Sequence, residues 1–418
     1  MNCKRISLLI IFLLLILSVA GAEPGETPAG ESLESNGDAT NPFSITLFIP
    51  TTKMIHSDQI LNQITMPDNQ GVLFATSFGL SRYDGTWSTR HINRDNVSEG
   101  LMDDFIMAVE YDHEGNLWIG YSGGIQVYNG VYYRTIRDQQ LLKDPRIHDL
   151  QRWNDDMWIA TGNAGIHRYR NGAWTWYQPR SPEGPGFYEI HEMVLDPVSG
   201  ALFIATNDNG LWKISSPDDP VVFEQIAPKY SAYGGLTNVR RDPQGGVFFF
   251  DDTTVVHYTP QEGFVPVLTA GDLAQKKIQI NDLSADSYGR LFIATDDGIY
   301  IWTNGQVQRQ IGRFDGMGSS EVVRTVTLDA KNRAWFSTSG YVGYYADQYS
   351  MEDVIPVNIY VPEDTPVTGA TRVPGAIPSL AELSDPDHGE PDLVARVLQP
   401  IFSLIDTLLS MLGIGGEN

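Results

Sequence analysis

The chain has 418 residues, with 28 Lys plus Arg against 52 Asp plus Glu, a net charge of −24 and a single cysteine. Such a charge repels phosphate backbones, which excludes nucleic acid as a ligand class, and suits an exported protein that must stay soluble. Cys3 precedes the first apolar run, so disulfides, thiol chemistry and a Cys-ligated metal are unavailable to the processed chain.

In chain order, residues 1–22 read as a signal peptide. Lys4 and Arg5 give a positive start, Ile6 to Val19 is an apolar run too short to span a bilayer comfortably, and Ala20-Gly21-Ala22 is a small-residue cleavage site. Its loss removes two cations and takes the charge from −24 to −26. The expected location is extracellular or at the cell surface. Residues 23–43 are rich in Gly, Pro, Ser and acids, with too few apolar side chains to fold, and form a disordered spacer.

From residue 44 to 361 one pattern repeats. Leu117-Trp118-Ile119-Gly120 is a β-prone apolar run, Gly123-Gly124 a tight turn, Ile125 to Tyr128 an alternating run, and Asn129-Gly130 a second turn. Phe74, Trp118, Trp158, Phe203, Phe248, Phe292 and Trp335 each sit second in such a copy, at intervals of 44, 40, 45, 45, 44 and 43 residues by subtraction. An apolar run, then an Asp and a Gly five and two residues ahead of the strand, as in Asp112 and Gly115, marks a strand and turn entering each hairpin. Val131 to Ile136 and Ala173 to Gln178 supply fourth strands. Four short strands in each of seven such repeats predict an all-β, seven-bladed β-propeller. Ser44 to Pro50 is expected to close the seventh blade, with Asp353 to Val361 as the competing strand. In the fifth copy Asp251-Asp252-Thr253-Thr254 replaces the glycine pair, which leaves that hairpin turn open.

The pattern D..GNLWIG...GGI..Y.G resembles the two-component-regulator propeller repeat of hybrid histidine kinase sensor regions and free-standing secreted propellers. The resemblance covers roughly 300 residues and implies the fold. It implies a sensory-type interaction module that binds a protein, small-molecule or carbohydrate ligand at the cell surface. No kinase or receiver segment follows the array. Similar repeats also occur in streptogramin lyase-like propellers, which use a His and a divalent metal on the propeller face. That is the enzymatic alternative, a metal-dependent lyase or hydrolase.

Counting back from each hairpin places Gln63, Met107, Asp149, Glu192, Thr237, Asn281 and Arg324 at the starts of the innermost strands, near one channel mouth. Gln63, Asp149, Glu192, Asn281 and Arg324 are the candidate ligand-binding residues. His148, His191 and Glu192 are candidate ligands for a divalent cation. The competing reading is that these polar groups satisfy nearby backbone. No HExxH, GxSxG or P-loop spacing is present, so no catalytic residue is assigned. Most of the aromatics belong to the repeat; Trp153, Trp174, Trp176 and Tyr177 do so less plainly. Asn96 heads a glycosylation sequon, Asn96-Val97-Ser98.

Residues 362–391 are a Pro- and acid-rich linker. Residues 392–414 then read as an amphipathic helix: Val394, Leu398, Ile401, Ile405, Leu408 and Leu412 fall at helical spacing, opposite a narrow polar stripe. Such a helix would serve membrane association, self-association or docking on the propeller, and Asp406 disfavours a true span.

Overall fold

The computed structural model describes residues 32–33, 43–51, 54–67, 71–91 and 100–350. The signal peptide, the Asn96 sequon, the competing strand at 353–361, the linker and the 392–414 segment lie outside the described residues. Within them the chain forms seven antiparallel sheets around a ring. Blades 1 to 6 are consecutive four-stranded meanders spanning Ile60–Arg90, Ala108–Ile136, Ile147–Tyr177, Ile190–Ala227, Asn238–Thr269 and Ile280–Ile311. Blade 7 takes three strands from Val323–Asp347 and its fourth from Phe43–Phe48, which pairs with Tyr341–Asp347 from Phe43 opposite Asp347 to Phe48 opposite Val342. The predicted closing strand is therefore the observed one. Ser32–Leu33, within the predicted spacer, pairs with Ile45–Thr46 as a short fifth strand.

Closure from both ends follows from packing. A hairpin sheet has two faces, and the apolar second and third strands must cover both. Seven apolar clusters result, one at each blade junction. The junction between blades 7 and 1 is aromatic. Phe48 lies 5.3, 5.0 and 6.0 Å from the rings of Tyr83, Trp87 and Trp335, and Arg333 stacks 4.7 Å over Tyr344. The closing strand thus brings its own anchor into the seam.

The repeat motif has a physical reading. The Oδ1 of Asp112 accepts the Glu114 and Asn116 N–H groups, while its Oδ2 accepts the indole N–H of Trp118 at 2.9 Å. Asp329 does the same for Lys331, Arg333 and Trp335 in blade 7. One carboxylate therefore shapes the turn between the first two strands and pins the core Trp of the second. Gly115 completes that turn at φ +82°, a region that L side chains rarely adopt. In blade 5 the missing glycine pair is replaced by an Asx turn, in which Asp251 Oδ1 accepts the N–H groups of Thr253 and Thr254. One correction concerns blade 1. Strand Val72–Thr76 and its hairpin align with Leu291–Thr295, so Leu73, not Phe74, is equivalent to Trp118.

Candidate functional site

The innermost strands carry a bulge where they enter the channel. Ile147 pairs with Thr161 but Asp149 with Ala160, which leaves His148 as the extra residue. Leu61, His191, Asn281 and Arg324 are extra in the same way. The pairs Ala108–Gly120 and Asn238–Phe250 place Met107 and Thr237 at the equivalent position. The residues that follow form a second row: Asn62, Ala108, Asp149, Glu192, Asn238, Asp282 and Thr325. Counting along the sequence merged these rows. Met107, Thr237, Asn281 and Arg324 belong to the first, Asp149 and Glu192 to the second, and Gln63 to a third, opposite Phe74. The cause is the turn between the first two strands, which runs from two residues after Trp153 to six after Leu195.

These side chains tie each blade to the next. His148 Nδ1 sits 2.7 Å from the Ile190 carbonyl, Asp149 Oδ2 accepts the Met193 N–H at 2.7 Å, and Gln151 Oε1 accepts the Leu195 N–H. Blades 6 and 7 repeat the ladder: Asn281 donates to the Val323 carbonyl at 2.7 Å, Asp282 accepts the Val326 N–H at 3.0 Å, and Ser284 accepts from Leu328. Between blades 4 and 5, Glu192 accepts the Val239 N–H at 2.9 Å. Arg324 instead pairs with Asp58, which also accepts the Gly340 N–H.

Arg240 is the electrostatic centre of this wall. Its Nη1 lies 2.6 Å from Glu192 Oε2 and its Nη2 2.9 Å from Asp282 Oδ1, so one guanidinium on blade 5 holds carboxylates on blades 4 and 6. Burial raises the Asp282 carboxyl, with Arg240 and the Val326 N–H pulling it back. Burial also pushes Asp149 up to about 7, and the neighbouring Glu192 charge adds to the rise. Glu110, two residues further along the blade 2 inner strand than Ala108, is raised by burial and eased by the Tyr111 N–H and by Arg152 and Arg241. The sign for Asp149 follows from linkage. Its folded value lies above the unfolded one, so the native chain is favoured in acid and loses that advantage as pH rises towards 7. Relative to Asp149→Asn, the wild type is expected to lose stability between about pH 4 and 7. Chemical denaturation across that range measures it, and a constant difference would contradict it.

Two of the predicted metal trio are engaged within the protein. His148 is engaged with the Ile190 carbonyl, Glu192 with Arg240, and among the described residues no group of three or more His, Cys, Asp or Glu is placed to share an ion. The ambiguous aromatics pack: Tyr177 stacks on Trp158 at 5.7 Å, Trp153 lies at the same distance from it, Trp174 packs on Tyr169, and Trp176 donates to the Ala164 carbonyl.

The second surface is the loop face, made by the connections between blades and the hairpins between second and third strands. Phe78, Phe105 and Phe314 are all on it, 51%, 46% and 89% exposed, and they are the only exposed phenylalanines among the described residues. Ile49, Tyr230 and Val322 join them. Sequence reading missed this face because Phe105 and Phe314 lie in connections between the repeat units and Phe78 in a hairpin turn, where no periodicity marks a residue.

With the ring and its two surfaces laid out, the chain can be set beside known proteins. No family model and no curated protein matches it in sequence. Among solved structures it is similar to the extracellular domain of a protein named as a hybrid two-component system from B. thetaiotaomicron, at 17% identity and a TM-score of 0.55 over 71% of this chain. It spans 40% of that chain's length. A streptogramin B lyase matches at 14% identity and TM-score 0.56, over 74% of this chain and 99% of the lyase. A structure titled YCF48 bound to D1 peptide matches at 12% and 0.52, over 80% and 99%. The fold is shared with the extracellular propeller domain of a two-component system. At these identities the likeness concerns the fold, so the propeller's chemistry must be argued from its own residues.

Proposed function

We propose that this chain is an exported propeller that acts as a protein-binding module at the cell surface, with the loop face as its contact surface. The observation that carries this reading is the division of labour between the two surfaces. Asp149, Glu192 and Asp282 of the channel wall are engaged in holding blades together, whereas every exposed Phe of the described residues lies on the loops. Half-exposed aromatics on ordered loops are what interface hot spots are made of. The solved structures that share the fold include the extracellular domain of a two-component system and one described as bound to a peptide, which fits this use of the architecture. The tail at 392–414 is proposed to tether or cluster the propeller.

A photo-crosslinking amino acid placed at Phe78 or Phe314 is expected to give discrete adducts in the producing cell. The same group at Val131 or Tyr288, on the opposite turns, is expected to give none. Equal adducts from both faces, or none from either, would contradict the proposal.

A further inference from the structure

An Asn-Gly pair is chemically labile wherever its peptide is able to turn. Glycine has no Cβ, so its amide nitrogen can swing onto the carbonyl carbon of the asparagine side chain before it. The sequence holds five such pairs, headed by Asn36, Asn129, Asn171, Asn209 and Asn304. Asn36 lies outside the described residues, and the fold treats the other four in two different ways.

Asn129 and Asn209 are held. Asn129 Oδ1 accepts the N–H groups of Val131 and Tyr132, both at 3.0 Å, and the Tyr128 hydroxyl donates to the Gly130 carbonyl at 2.7 Å. Asn209 Nδ2 donates to the Gly186 carbonyl at 2.7 Å, while the Asn209 main-chain carbonyl takes the Trp212 indole N–H and a Gln225 amide N–H. A Cβ at Gly210 would collide with the Ala227 carbonyl oxygen, so that peptide is packed as well as bonded. Asn171 and Asn304 have neither restraint. Each heads a two-residue turn between the third and fourth strands of its blade, closed by the pairs Arg170–Ala173 and Thr303–Gln306. Both turn residues have positive φ, 49° and 85° in blade 3 and 52° and 77° in blade 6, the type I′ geometry that Asn-Gly favours. Asn171 and Asn304 are exposed, and neither side-chain amide makes a hydrogen bond among the described residues. Beyond the chain neighbours, no atom lies within 4 Å of where a Cβ on Gly172 or Gly305 would stand.

We propose that Asn171 and Asn304 are sites of spontaneous deamidation in the folded chain, each converting to aspartate and isoaspartate. The Gly172 nitrogen, having given its proton to hydroxide, forms a bond to Asn171 Cγ. The Cγ–Nδ2 bond breaks, and ammonia leaves with a proton from water. Water then opens the succinimide ring at one of its two carbonyls, giving aspartate or an isoaspartate whose main chain runs through the former side chain. Nothing is oxidised or reduced, and water is the only co-reactant. Gly305 acts on Asn304 in the same way. The turn must open briefly for the nitrogen to reach Cγ, and an exposed turn leading into an outermost strand opens at low cost. Each event adds one negative charge on the side of the ring opposite the loop face. It is therefore independent of the binding-module reading.

The test incubates the full mature chain in mildly alkaline buffer and maps its peptides by mass spectrometry, with fragmentation that separates isoaspartate from aspartate. Asn171 and Asn304 are expected to convert roughly tenfold faster than Asn129 and Asn209, whose hydrogen bonds must break first. Gln225→Ala, which removes a donor from the Asn209 peptide, is expected to speed Asn209 and leave the other three rates as they were. In urea the four rates are expected to converge, because the difference belongs to the fold. Equal rates in the folded chain, or a lead for Asn129 or Asn209, overturns the proposal. So do an intact Asn171 and Asn304 in a folded chain whose urea-unfolded form converts at all four.

Discussion

Arg240→Met is expected to lower the unfolding free energy by about 1–3 kcal/mol, less than the cost of removing one partner of a fully buried ion pair because the Arg240 and Glu192 side chains are 32% and 22% exposed. The guanidinium pairs with both Glu192 and Asp282, and the Asp282 side chain is only 6% exposed. Methionine fills the volume but leaves two carboxylates facing each other in a poorly hydrated wall. The loss has a signature beyond its size. Burial already raises Asp282 with Arg240 present, and removing the cation raises it further. The variant is therefore expected to recover stability as pH falls and the carboxyl takes up its proton, and to be weakest above neutrality. Adding Asp282→Asn to Arg240→Met is expected to restore part of the loss. A variant unchanged in urea denaturation, or equally weakened at all pH values, would show that the wall is hydrated and the staple idle.

The second large effect belongs to the seam. Phe48→Ala is expected to cost about 3–5 kcal/mol, because the ring fills the space between Tyr83, Trp87 and Trp335 and the surrounding aromatics are tied into both blades. Deleting Phe43–Phe48 removes Phe43, Ile45, Leu47 and Phe48 from the core. At about 1.5–3 kcal/mol for each side chain, that loss approaches the whole stability of an ordinary domain, so no cooperative melt is expected. Among the described residues, deleting 23–42 removes the short pairing of Ser32–Leu33 with the closing strand and is expected to cost on the order of 1 kcal/mol. Calorimetry of the two deletions separates them, and equal melting temperatures would contradict closure by Phe43–Phe48.

The architecture was legible in the sequence because each blade repeats the same burial problem. The second-position aromatics, the Asp that pins them and the turn residues recur at near-constant spacing, and Ser44 to Pro50 stood out as a strand without a blade. The site was less legible. A bulge adds one residue without altering composition, so His148 and Asp149, or His191 and Glu192, cannot be sorted into rows until the pairing is known. Asp282 and Arg240 escaped notice for a related reason. Their importance lies in bridging strands some 42 and 48 residues apart in sequence, which no local window contains. Phe78 and Phe105 belong to two different repeats, and backbone hydrogen bonds join the hairpin carrying one to the connection carrying the other.

The separation of holding from binding is tested most directly by measuring, on the same preparations, the melting temperature and the crosslinking yield from position 314 for two variants, Glu192→Gln and Phe78→Ala with Phe105→Ala. The channel variant is expected to melt lower and crosslink at the wild-type yield while folded, and the loop-face variant to melt with the wild type and lose yield. A channel variant that melts normally but loses its crosslink would place binding in the channel and contradict the division between the two surfaces.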